Sequence, residues 1–224
     1  MHIPDGFING TTSAAAGVVA AGGVGAALRQ TGRYLNERQV PLAGLVAAFV
    51  FAAQMFNFPV LGGMSGHLLG GVLAAVLVGP WAGLLIITVV LLVQAVLFAD
   101  GGLSALGLST INMGFIGAML GYLIYRVVLR VTSRATNGVA VAAGFAAFLS
   151  VPLAAMGFVV QFAIGGVAAS STGTVLTAML GTHLLIGVGE GILTALVIGA
   201  VMASRPDLVY GVPRYQGNRT EALV

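Results

Sequence analysis

Three histidines, His2, His67 and His183, stand in a chain with few other groups able to do chemistry. His2 is set apart by its position. The α-amine of Met1, the amide nitrogen of His2 and the imidazole Nδ1 of His2 are joined by short covalent links. Together they can close a five-membered and a six-membered chelate ring around one metal ion. The amide must lose its proton, which selects a strongly Lewis-acidic ion with a demanding geometry. Three in-plane nitrogens leave one corner of a square plane, and a second imidazole can fill it. Tetragonal nitrogen sites of this kind suit Ni2+ or Cu2+. His67 is the natural fourth donor. The plain alternatives are a His2 that belongs to a frayed end and a His67 that bonds to backbone carbonyls at a helix start.

His183 and Glu190 lie seven apart on one face of an apolar segment. An ionisable residue in mid-membrane is costly and marks a functional candidate. Glu190 sits among Gly187, Gly189 and Gly191, so a neighbouring helix can approach and supply a partner. A buried bond that only fixes packing is the simpler account. Asn112 is placed to orient His67 as a supporting hydrogen-bond partner. Gly63-Met64-Ser65-Gly66 with His183 on a later span reads as an intramembrane serine protease dyad. Short glycine-serine strings are common in a chain with 34 glycines, so that signal is weak.

Absences exclude whole classes. Without cysteine there are no disulfides, zinc-thiolate sites or thiol nucleophiles. Without lysine there is no Walker lysine, so ATP hydrolysis by that route is excluded. The nine basic residues form no patch with interleaved aromatics, which argues against nucleic acid.

The elements that hold these groups must face lipid. Hydrophobic residues make up 58% of the chain and charged residues 7%, against roughly a quarter charged in a soluble domain. Mean hydropathy is +1.06. The expected fold is an all-α integral membrane protein of seven transmembrane helices. The spans fall near residues 12–28, 41–58, 67–78, 81–98, 112–129, 139–164 and 174–203, with residues 204–224 a cytoplasmic tail. Pro152 predicts a kink in the sixth.

In that arrangement every arginine falls on one side, which places the N-terminus outside and the C-terminus in the cytoplasm. No positive charge precedes the first apolar run, so residues 1–11 read as an outer leader and not as a signal peptide. Pro4 and Asp5-Gly6 predict a turn there, folding the chain end back into the bundle. Asp5 and Asp100, on the same side, weakly favour the approach of a cation. Ala16, Ala20, Gly23 and Ala27 form a small-residue face on the first span, a candidate contact with another subunit.

Several separate strings resemble one family, the metal-binding membrane subunits of energy-coupling-factor transporters for cobalt and nickel (the CbiM/NikM group). Met1-His2-Ile3-Pro4-Asp5-Gly6-Phe7 is similar to its N-terminal signature. Ser65-Gly66-His67-Leu68-Leu69-Gly70-Gly71 resembles its second motif, with Gly79-Pro80-Trp81 following. Ala99-Asp100-Gly101-Gly102-Leu103 through Asn112-Met113-Gly114 resembles the third. His183-Leu184-Leu185-Ile186-Gly187 through Glu190-Gly191 resembles the last span. Ile8-Asn9-Gly10 departs from the leucine and proline more usual there.

The resemblance implies an N-terminus threaded into the bundle and metal ligation by Met1, His2 and His67. It implies as partners a coupling transmembrane subunit, two cytoplasmic ATPases and often a small accessory membrane protein. The expected function is a non-enzymatic subunit of an importer in a prokaryotic cell membrane. It takes Ni2+ or Co2+ as the transported ligand and needs no cofactor of its own. The rivals are a stand-alone proton-coupled carrier using Glu190 and His183, and the protease.

Overall fold

A computed structural model of the chain describes residues 2–35, 37, 39–60, 65–132 and 135–211. Met1, Arg38, Arg134 and the end of the tail with Arg214 and Arg219 lie outside the described residues. Among the described residues the helices longer than one turn are α1 Gly10–Tyr34, α2 Val40–Gln54, α3 Gly71–Val78, α4 Pro80–Leu97, α5 Leu106–Val128, α6 Thr136–Gly165 and α7 Thr172–Ser204, and a single 3-10 turn follows at Pro206–Leu208. Five of these, α1, α4, α5, α6 and α7, are long and apolar enough to cross a membrane. Their outer faces present large apolar side chains such as Val18, Leu97 and Leu185. A surface of that kind needs lipid as its solvent, and the chain is a multi-pass membrane protein.

The departures from the expected spans have local causes. Arg29 does not stop the first helix, which continues to Tyr34. A cation near a helix C-terminus is favourable to the helix dipole and no breaker. The fifth begins at Leu106 rather than at residue 112 and winds as a π-helix over Thr110–Leu120. The third is the largest departure. Its helix starts only at Gly71 and runs 8 residues, about 12 Å at roughly 1.5 Å per residue. A hydrocarbon core is about 30 Å thick.

The cause of that short helix is Gly70. Its φ of +71° is left-handed, where a right-handed helix cannot continue. The chain before it is therefore irregular, with a two-residue antiparallel ladder pairing β1 Phe58–Pro59 with β2 Ser65–Gly66. All eight residues of α3 are buried inside the protein. That is the condition for non-helical backbone at membrane depth.

Two ends of the bundle can be told apart by their contacts. At one, the Tyr34 hydroxyl donates to Val78 O (3.3 Å) and accepts from Ala82 N (3.1 Å), stitching the α3–α4 turn at Gly79. Tyr210 N donates to Val76 O at the same end, and the Tyr34 and Tyr210 rings touch. Tyr122, beside Arg126, packs on Tyr210 as well. The described arginines Arg29, Arg33, Arg126, Arg130 and Arg205 lie at or within about two turns of this end. The opposite end gathers the leader, the loop after α2, the loop between α4 and α5, and the turn between α6 and α7.

Helices α6 and α7 pack closely along their length. A Cβ on Gly144 would stand 2.7 Å from Gly191 O, and one on Gly191 2.9 Å from Gly144 O. Pro152 lies inside α6 and cannot donate to the carbonyl four residues before it, that of Phe148. Gly187 of α7 sits against that carbonyl, where a Cβ would be 2.8 Å from Phe148 O. Gly187 and Gly191, on either side of Glu190, are thus used for helix–helix approach.

Candidate metal centre

The leader is an ordered strap. Asn9 caps α1, its side chain accepting from Thr12 N at 2.9 Å. Asn9 N donates to Gly165 O (2.7 Å), and Val167 N donates to Phe7 O (3.1 Å), tying the strap to the α6–α7 turn. The expected turn forms at Asp5-Gly6, with Phe7 N donating to Pro4 O and Gly6 at φ +75°. Ile3 and Ile8 are buried, and Phe7 packs on Phe158 and Phe162. On its other side, Gly102 N donates to Ile3 O (2.8 Å). The exposed Asp5 carboxylate accepts from Ser104 N (2.8 Å) and Ser104 Oγ (2.5 Å), bonds that hold it below the ordinary carboxylate range.

This strap carries His2 into the bundle, where it is 5% exposed. Its ring stacks on that of His67, with centroids 4.5 Å apart and planes 29° from parallel. His67 is fully buried. Burial lowers the His2 imidazole to about 3, so the ring is neutral across the physiological range. Neutral imidazole is the form that ligates metal. His67 Nδ1 lies 2.7 Å from Leu68 O. Among the described residues, no three His, Asp or Glu side chains converge as a metal cage. Met1, the remaining expected ligand, lies outside the described residues.

The irregular segment bearing His67 is gripped from two sides. Glu190 of α7 accepts from Leu69 N at 2.8 Å and Gly70 N at 2.6 Å. Gln54 at the end of α2 donates to Leu69 O at 2.7 Å. The partner of Glu190 thus comes from the backbone ahead of α3, not from a side chain on the neighbouring helix. A carboxylate there also complements the N-terminal end of α3. Its geometry is that of a structural anchor two residues from a proposed ligand.

The remaining candidates separate. His183 is fully buried with Nδ1 2.8 Å from Met179 O, while its Nε2 has no hydrogen-bond partner. Ser65 pairs through its backbone with Pro59, and its side chain, with the proposed dyad, lies outside the described residues. The Asn112 amide is engaged reciprocally by Gln161, at 2.8 and 2.9 Å. The small residues named on α1 pack within the chain itself. Ala16, Ala20 and Ala27 are buried within the chain, and Gly23 abuts the Phe115 ring. Small residues allow close backbone approach, and here the neighbour is the same chain, with Gly107 seated against Gly17.

Gln54, Asn57, Ser104 and Gln161 were not foreseen from the sequence. Two of them carried a usable signal, since a glutamine inside an apolar span must find a partner.

The loop between α4 and α5 closes over His2. Gly101 has φ +95°, and a Cβ there would stand 3.1 Å from His2 Nδ1. Gly101→Ala therefore adds backbone strain of about 1–2 kcal/mol and crowds the nitrogen that faces the loop. The expected result is nickel affinity reduced about tenfold or more with a modest fall in Tm. Calorimetric titration beside thermal unfolding checks both, and unchanged affinity would mean that this edge of the ring is not used.

Residues 2–208 match the sequence model of a family described as the cobalt uptake substrate-specific transmembrane region, CbiM. A putative metal transport protein of Haloquadratum walsbyi is 38% identical over 210 residues, covering 94% of each chain. A putative fused nickel transport protein of Archaeoglobus fulgidus is 36% identical over 93% of this chain and 68% of its own. A solved structure described as a truncated transition-metal transporter superposes with a TM-score of 0.84 at 28% identity. It covers 91% of this chain and 99% of that one.

Proposed function

This chain belongs to the CbiM family, and from that premise we propose that it is the substrate-binding membrane subunit of an importer for Ni2+ or Co2+. The metal is captured by the Met1 amine, the His2 amide and imidazole, and His67. The observation that carries this reading is the buried His2–His67 stack, delivered by a strap bonded to the bundle on both sides. Among the described residues no cage of carboxylates converges on the two imidazoles, and backbone nitrogens complete the four-donor site in this reading. Ni2+ fits square-planar nitrogen donors, and selectivity over Cu2+ must come from geometry and availability.

The gathering of the described arginines at the end remote from His2 supports an N-terminus outside and a C-terminus in the cytoplasm of a prokaryotic cell membrane. The seven-span topology then counts α2 and the broken α3 element as crossings. With no Walker lysine of its own, the chain takes its energy from a partner or an ion gradient, and the family resemblance favours a coupling membrane subunit and two cytoplasmic ATPases, with a small accessory subunit as a further partner. The carrier reading, in which Glu190 shuttles protons, is disfavoured because that carboxylate is occupied by two backbone N–H groups.

The decisive experiment is nickel and cobalt titration of the purified chain with its native start and with one alanine inserted between Met1 and His2. The insertion preserves every side chain and breaks the chelate rings. One metal per native chain and a strong loss on insertion are expected. Equal binding by both forms would move the site elsewhere and raise the carrier reading.

A further inference from the structure

The loop that joins α4 to α5 is strained where it meets His2. Ala99 has φ +52°, the one non-glycine at positive φ among the described residues. Such a backbone costs about 1–2 kcal/mol and persists where the surroundings impose it, often beside a functional group. Its effect here is to turn Asp100 toward the strap. Asp100 Oδ2 lies 3.4 Å from His2 Nε2. The same oxygen accepts from Asn57 Nδ2 at 3.0 Å, and Asp100 N donates to Gln94 O at 3.1 Å. The carboxylate is thus held in place by Asn57 in the loop after α2 and by the end of α4, and not by His2.

His2 Nε2, for its part, is buried and has no hydrogen-bond partner. Its 3.4 Å approach to Asp100 Oδ2 is longer than the roughly 2.7–2.9 Å of a charge-assisted hydrogen bond. A buried ring nitrogen without a partner calls for an explanation. The two groups share a cleft of about 280 Å3 with Pro4, Asp5 and Gly101. The other carboxylate of that cleft, Asp5, is already taken by Ser104.

We propose that Asp100 is the positioning residue of the metal site: it accepts a hydrogen bond from His2 Nε2–H and supplies the charge that neutralises the loaded centre. The inference rests on the chelate reading above. A proton fixed at Nε2 leaves the Nδ1 lone pair free, which the chelate ring requires. A divalent ion bound to one deprotonated amide, one amine and two neutral imidazoles carries a net single positive charge. A lone charge buried away from water is strongly unfavourable, and one carboxylate at contact distance balances it. Metal at Nδ1 also withdraws electron density from the ring and makes Nε2–H a stronger donor, so the 3.4 Å contact tightens on loading. Carboxylates that orient ligating histidines in this way typically contribute about 10–100-fold to metal affinity.

The test uses the full chain with its native start and Ni2+ as the probe. Asp100→Asn keeps the shape and the Asn57 neighbour while removing the charge. It is expected to weaken nickel binding about 10–100-fold, with the metal-free Tm little changed and the visible d–d band of the bound ion moved to longer wavelength. Asn57→Ala is expected to weaken binding several-fold in the wild type and to add nothing in the Asp100→Asn background. Affinity within twofold of wild type for Asp100→Asn, or fully additive effects of the two substitutions, overturns the role given to Asp100. If Asp100→Asn fails to fold, Asn57→Ala alone decides, through its affinity and the same band. Failure of the chelate reading is distinguishable: the wild type then fails to bind nickel, or binds it equally well with alanine inserted after Met1.

Discussion

Replacing His67 with alanine is expected to reduce nickel affinity by about a hundred- to a thousandfold. A four-donor metal site stabilises its ion by roughly 10–16 kcal/mol, which divides to about 2.5–4 kcal/mol per donor. The ring is fully buried and stacks on His2, so its removal also leaves the strap without the surface on which His2 stacks. Both effects act in one direction. Replacement by alanine also removes a ring from a close-packed interior, so some loss of metal-free stability accompanies it. Titration calorimetry with Ni2+, run beside metal-free thermal unfolding, separates the two. Wild-type affinity in this variant would remove His67 from the site and turn attention to His183, whose Nε2 is buried and unpartnered.

Glu190→Ala is expected to cost about 3–6 kcal/mol of stability. Two hydrogen bonds to a charged acceptor contribute about 1.5–3 kcal/mol each, and both donors, Leu69 N and Gly70 N, would be left buried without it. Glu190→Gln keeps one acceptor oxygen and turns an amide N–H toward the other donor, so it should recover only part of the loss. Because the bonds fall two and three residues beyond His67, nickel affinity should fall with stability in both variants. A proton carrier predicts a different pattern, in which Glu190→Gln binds metal normally and loses only transport. Thermal unfolding, nickel titration and uptake measured on the same variants therefore discriminate anchor from carrier.

The donors of the proposed site are chosen from residue types alone. Covalent geometry makes Met1–His2 a candidate chelate, and the scarcity of other polar groups directs attention to His67. The spans α1, α4, α6 and α7 follow from long apolar runs, although Arg29 does not end the first and Pro152 lies inside α6. The third span did not follow. His67 to Val78 reads as one continuous apolar helix, and only the left-handed Gly70 divides it into an irregular segment and a half-helix. Hydropathy reports which solvent a residue prefers and is silent on backbone handedness.

The role of Glu190 was hidden for a related reason. Its partners are backbone N–H groups some 120 positions away, and every residue in a sequence carries the same backbone. Asn112 meets Gln161 across 49 positions, and Asp100 meets His2 across 98 positions. The small faces of α1 were visible as composition, but whether they meet another subunit or the same chain depends on where α5 lies.

The sequence by itself determined the solvent, the helical class, the side on which arginines collect and the donor atoms available to a metal. Those are local properties, set by side-chain chemistry and covalent connectivity. Only the tertiary structure decided which polar groups meet, which glycine breaks a helix, and which carboxylate stands beside His2. Those depend on close packing and on hydrogen bonds between distant backbone segments, and the free energy of such contacts exists only once the chain has closed on itself.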